Sequence, residues 1–211
     1  ESRFWEWVAT WAVVLTKPSD LGYEEEGYKL PPLNLYEHIV SSDTDFDMQS
    51  LIPKAHEAKT LSERREARRK SLFRRCQKAA ELMDDNQWLI WCDRSVIPSS
   101  VEVRGSDNME EKAQRLREFS EGTVQRLITK PSIAGFGLNW QKCHNMVFVG
   151  LSDSYEKLYQ AVRRCWRFGQ EHPVNVHIIT SAEEGAVKQN IERKERQTEQ
   201  MIRQMVLHTR D

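Results

Sequence analysis

No apolar run in these 211 residues approaches the roughly 18 that a membrane span requires. The opening residues, Glu1 to Trp7, have no basic start and no clean apolar core, so they do not read as a signal peptide. An initiator methionine is also missing, which suggests a fragment of a longer chain. Cysteine is sparse: Cys76, Cys92, Cys143 and Cys165 form no C-x-x-C pair. Zinc sites are usually built from closely spaced ligand pairs, so no metal is expected, even with His144 beside Cys143. Reduced, mostly buried thiols in a cytosolic protein are the simpler expectation. No segment repeats and none is of low complexity. The formal net charge of -1 neither draws nor repels a polyanion, so the placement of charge decides.

What is present describes a globular chain with a charged surface, 39% hydrophobic and 30% charged. A strongly basic stretch runs from Arg64 to Arg75, while Glu24–Glu26 and Asp43–Asp47 are acidic. Phe4, Trp5, Val8, Trp11, Ala12 and Leu15 recur at helical spacing and predict a helix over 2–16, ended by Pro18. Residues 18–55 hold four prolines and read as a connector with short strands such as Leu33 to Val40. A long basic helix is expected over 60–84, capped by Thr60 or Ser62. Its arginines suit a solvated face balanced by Glu63 and Glu66, or a nucleic-acid backbone. Strand-like runs then appear at Trp88–Cys92, Val101–Val103, Val124–Ile128, Met146–Val149 and Val174–Ile179, with helices at 109–120 and 153–167. That alternation predicts an α/β domain with a mostly parallel sheet flanked by helices. A charged helix is expected over 183–207.

Two segments carry the chemistry. In Gln160-Ala161-Val162-Arg163-Arg164-Cys165-Trp166-Arg167-Phe168-Gly169-Gln170, a continuous helix puts Gln160, Arg164 and Arg167 on one face. Leu158, Val162 and Cys165 fall on another face, and Gly169 ends the helix. Two guanidinium groups and an amide make a planar, multi-donor surface suited to phosphate oxygens, although a solvated basic face has the same spacing. Upstream, Thr129 to Gln141 (TKPSIAGFGLNWQ) directly follows a strand, where open α/β sheets bind ligands. Gly135 and Gly137 let backbone approach a phosphate, Lys130 adds charge and Ser132 a hydroxyl.

In this order, about 20 residues apart, the two segments resemble motifs V and VI of superfamily 2 helicases, particularly the Swi/Snf-like branch and its phage-encoded members. Ala134-Gly135-Phe136-Gly137-Leu138-Asn139 matches motif V and Gln160 to Gln170 matches motif VI. Residues 86–93 and 101–107 resemble the motif IV region, and the opening residues resemble the segment between the two lobes. The resemblance implies a RecA-like C-terminal lobe over 60–182, an inter-lobe segment over 1–59 and a C-terminal helix over 183–211. It implies arginine fingers at Arg164 and Arg167, and ATP contacts at Gln160, Gly135, Gly137 and Asn139. Nucleic-acid backbone contacts would fall to Lys130, Ser132, Arg104 and Ser106. ATP and Mg2+ would be held mainly by an N-terminal RecA-like lobe outside this chain, and the track would be DNA or RNA. The implied setting is the cytoplasm of a bacterial cell or phage-infected host, with no membrane partner.

Two departures qualify that expectation. The sequence holds no G-x-x-x-x-G-K-[ST]; Gly22 to Lys29 comes near, but Tyr28 separates Gly27 from Lys29 and no hydroxyl follows. Nor is there a D-E-x-H. The chain alone is therefore expected to be inactive, and a non-catalytic remnant that binds nucleic acid or a partner is the alternative. Second, only Asp93 to Ser100 separate Cys92 from Val101, whereas a parallel crossover needs about a dozen residues or more. Either the two strands are not parallel neighbours or this side of the sheet is distorted. Finally, fingers must be reachable: Arg164 and Arg167 are expected to be partly exposed, to point the same way and to lack full carboxylate pairing.

Overall fold

The computed structural model describes residues 2–10, 18–24, 28–41, 69, 71–92, 97–133, 138–151, 154–182 and 185–209. Gly135 and Gly137, most of the basic stretch before Ser71, and the later part of the helix expected over 2–16 lie outside them. Six strands form one sheet: β1 (Leu33–Val40), β2 (Trp88–Trp91), β3 (Val101–Glu102), β4 (Arg126–Thr129), β5 (Asn145–Val149) and β6 (Val174–Ser181). Their order is β1-β6-β5-β2-β4-β3, and every pairing is parallel. The helices are α1 (Ser2–Ala9), α2 (Leu72–Leu82), α3 (Met109–Glu121), α4 (Tyr155–Val162) and α5 (Gly185–Thr209).

The layers follow from the period-2 alternation of strands. Trp88, Ile90, Val147 and Ile179 face one way and pack with Cys76 and Ala79 of α2 and with Met83 just after it. Leu89, Trp91, Met146 and Val176 face the other way, under Phe119 of α3, Ala161 and Val162 of α4, and Ile191 of α5. Both faces of β2 are therefore covered and all four of its residues are buried. Truncating Leu89 or Ile90, each fully buried, to alanine costs about 2–5 kcal/mol. α1 packs against α5.

The sheet order resolves the short connection after β2. β4 lies between β2 and β3, so these two are not neighbours. Val101 pairs with Leu127, which pairs with Leu89, so the chain backs up only about 7 Å from Trp91 before β3 begins. A full-length strand would need the longer crossover; a strand of two residues set high in the sheet does not.

Several boundaries moved for identifiable reasons. β4 begins at Arg126 rather than Val124, because Val124 still belongs to the end of α3: its N–H donates to Glu118 O at 3.3 Å, and its carbonyl accepts from Gln87 Nε2 at 2.9 Å. α1 ends at Ala9, where the Thr10 hydroxyl turns back onto Trp7 O at 2.7 Å. The short strand expected over Leu33–Val40 forms with its bounds unchanged, and it is an edge strand of the sheet in register with β6.

Candidate functional site

α4 starts from Ser154, whose hydroxyl accepts the Lys157 N–H, and runs only to Val162. The continuous helix expected to reach Arg167 does not form. Beyond Val162 the chain tightens into turns: Arg164 N–H donates to Ala161 O at 3.3 Å, Cys165 N–H to Val162 O at 3.2 Å, and Arg167 N–H to Cys165 O at 3.1 Å. The cause is long-range. The Arg164 carbonyl accepts the Trp140 N–H at 3.0 Å, and the Cys165 carbonyl accepts Gln170 Nε2 at 3.2 Å. Carbonyls captured from outside no longer serve a helix.

Gln170 is the clasp of this turn. It is buried, and its amide nitrogen also donates to Cys143 O at 3.1 Å while its oxygen accepts the His172 N–H at 3.0 Å. The turn is thereby tied to the residues just before β5. Gly169 adopts φ +87°, a left-handed conformation open to glycine at little cost, with the Gln141 side chain against it. Trp166 donates to Pro31 O at 2.8 Å, and the Arg163 guanidinium lies over the Trp166 ring. Neither Gln170 nor Trp140 was expected to have a role; each stands near the end of its motif segment, and what marks it is a polar or large side chain next to glycine or asparagine.

This clasped turn presents Arg164 and Arg167 to the loop after β4. Arg164 Nη1 reaches Leu138 O at 3.5 Å, and Arg167 Nη1 donates to Asn139 Oδ1. Both residues are half-buried, and neither is paired with a carboxylate among the described residues. Arg167 Nε is buried and has no hydrogen-bond partner among the described residues. Burial, and then the neighbouring Arg167 charge, draw the Arg164 guanidinium below its ordinary value. Two cations set side by side without a counter-ion, one with a donor unfilled, suit an anion with several oxygens. Gln160 does not join them: it is exposed on α4 and donates to Glu156 Oε1 at 3.2 Å.

The other expected contacts sit where the strands end. Lys130, half-buried, and Ser132, exposed, follow β4 in a turn closed by the Ile133 N–H on Lys130 O at 2.9 Å. Arg104 and Ser106, both exposed, follow β3, which is joined to β4 by the Val103 N–H on Ile128 O at 2.9 Å. Arg104 is already bound to Glu102 at 2.6 Å, which raises its pKa further. All four therefore follow the carboxyl ends of neighbouring parallel strands, the usual place for ligands in such sheets. Among the described residues no three His, Cys, Asp or Glu side chains come together as a metal site. Arg75, at the end of the basic stretch expected to be a solvated or nucleic-acid-binding face, is instead fully buried and donates to Val149 O at 3.3 Å.

Fold and site define a RecA-like α/β lobe in which two arginines meet the loop that follows β4. The chain belongs to the helicase conserved C-terminal domain family, whose model matches residues 57–169. No curated protein matches the chain in sequence. Among solved structures, the C-terminal part of the Fun30 ATPase domain is similar, with a TM-score of 0.49 and 17% identity over 56% of this chain. The match covers 44% of that structure's chain, so this chain spans less than half its length.

Proposed function

We propose that this lobe is the second half of an ATP-dependent nucleic-acid translocase or helicase of superfamily 2, akin to the Swi/Snf-like and phage-type members. Arg164 and Arg167 act as arginine fingers that reach the triphosphate held mainly by a first RecA-like lobe. The observation that carries this reading is the state of the two guanidinium groups. They are side by side and, among the described residues, are free of carboxylates, with Arg167 Nε lacking a partner. A finger locked to a buried carboxylate would have to break that pair, at about 3–5 kcal/mol. These two need only release a carbonyl and an amide oxygen.

The residues present fit a triphosphate, and Arg164, Arg167 and Asn139 would hold its outer oxygens from this side. ATP with Mg2+ supplies the phosphoryl group whose transfer drives motion. The arginines contribute positive charge where negative charge grows in the transition state, worth about 10³–10⁵ in rate in well-studied NTPases. Asn139 ties that event to the loop after β4. There Lys130 and Ser132, with Arg104 and Ser106 beside them, would grip a DNA or RNA backbone without reading its sequence. In this reading Gly135 and Gly137 also belong to the ATP side, and Gln160 reaches it by releasing Glu156.

Mixing decides the matter. A lobe-one protein carrying the P-loop, added to this chain, is expected to give nucleic-acid-stimulated ATP hydrolysis, while the chain alone stays at background. Hydrolysis by the pure chain that Arg167→Ala abolishes would refute the reading. Failure of the mixture to turn over, with both lobes folded and associated, would leave a non-catalytic binding remnant. Nucleic-acid binding by the chain is expected to be weak, sequence-tolerant and lost as salt rises.

A further inference from the structure

On the side of the sheet away from α2, a cavity of about 360 Å³ opens between β1, α4 and α5. Leu35 and Ile39 of β1 form part of its floor, and Leu158 and Tyr159 of α4 form a wall. Leu35, Ile39 and Tyr159 are 57%, 70% and 48% exposed, so the apolar surface continues outward past the cavity itself. Large side chains left open on an edge strand and a helix are a mark of an interaction surface.

The opposite wall is acidic. Glu195 and Glu199 of α5 line the groove one helical turn apart. Neither has an ion-pair or hydrogen-bond partner among the described residues. Two arginines of the same helix are engaged elsewhere: Arg193 donates to Gln197 and Asn190, and Arg196 to the Glu192 carbonyl. Burial, with Glu199 and Glu192 nearby, holds the Glu195 carboxyl above its ordinary range. Negative charges crowded beside apolar surface, with no counter-charge, are relieved by an incoming cation.

We propose that this groove is a docking site for a cationic amphipathic helix of a partner protein. Its apolar stripe would lie on Leu35, Ile39 and Tyr159, with lysines or arginines at i and i+4 on Glu199 and Glu195. The spacing of the two carboxylates matches the spacing of side chains on one face of a helix, and the mode is that of a helix laid in a hydrophobic groove. The same carboxylates exclude a nucleic-acid backbone, so the groove is distinct from the track. It adjoins the arginine turn, because Trp166, next to Arg167, also lines it.

The test uses the full chain and fluorescence anisotropy, with no nucleotide and no other lobe, so its outcome does not depend on the motor reading. The probe is a labelled 14-residue amphipathic leucine–lysine helix, set against a leucine–glutamate helix and a scrambled leucine–lysine sequence. Only the first is expected to bind, unaffected by an excess of DNA oligonucleotide. E195Q/E199Q is expected to weaken it about tenfold and L35S/I39S at least as much, with circular dichroism unchanged. Equal binding of the scrambled peptide, unchanged affinity in E195Q/E199Q, displacement by the oligonucleotide or no binding at all would each overturn the proposal.

Discussion

Arginine is put to opposite uses at two places in the lobe. Around β3 and α3 it is spent on neighbours: Arg104 is bound to Glu102 at 2.6 Å, and Arg115 to Asp107 at 3.1 Å and Glu111 at 3.9 Å. In the turn after α4 the backbone is held by Trp140 and Gln170, while the guanidinium groups meet only a carbonyl and an amide oxygen. The first arrangement stabilises the protein locally. The second fixes where two cations stand and leaves their charge for something else. Rigid backbone with uncommitted side-chain charge is what electrostatic catalysis requires, because the donors need not reorganise when charge appears.

The sharpest way to break this comparison is to open the clasp. Gln170→Leu leaves the Cys143 carbonyl and the His172 N–H without their partner and the Cys165 carbonyl with the Arg167 N–H alone. We expect a loss of about 2–4 kcal/mol and a fall in melting temperature of at least about 5 °C; an unchanged thermal melt would show that the turn holds itself. Next, Arg167→Lys in the assembled two-lobe enzyme keeps the charge and removes the planar fork. Turnover should drop at least about tenfold with nucleic-acid affinity nearly unchanged. If affinity collapses and turnover per bound complex survives, Arg167 is a backbone clamp instead. Gly169→Ala forces a Cβ into φ +87° and should cost about 1–2 kcal/mol in chemical denaturation. Smallest is Arg104→Ala, at an exposed pair: the melting temperature should not move, while the salt dependence of nucleic-acid binding should flatten by about one unit of slope. A marked loss of stability there would mean that the carboxylate cluster is more than local.

The apolar runs at Trp88–Cys92, Met146–Val149 and Val174–Ile179 announced buried strands because both faces of each are covered. The helix over 109–121 was equally legible, with Asn108 capping its start at 2.8 Å and Gly122 closing its end. What could not be read was set by residues far apart in the chain. The turns beyond α4 depend on Trp140 and Gln170 taking the Arg164 and Cys165 carbonyls, which no helical periodicity encodes. The sheet order depends on β4 entering between β2 and β3. The basic stretch looked like a solvated face, yet Arg75 is fully buried. Of the candidate site, the nearness of the two segments was legible and their arrangement was not: Arg164 and Arg167 do meet the loop after β4, but from a turn, and without Gln160.

β1 has a consequence for how the chain is made. Its partner β6 comes late: Asn34 bonds to Asn175, 141 positions away. β1 lies on the far side of β6 from the rest of the sheet, so no other strand can shelter it meanwhile. At about 5–20 residues per second, a ribosome needs on the order of ten to thirty seconds to supply that partner. Throughout that interval Leu33–Val40 is an apolar strand with both hydrogen-bonding edges open, the form most prone to pair with another chain. Closure of the sheet on this side thus waits for its last strand, and the period before it is when a nascent copy most needs a chaperone.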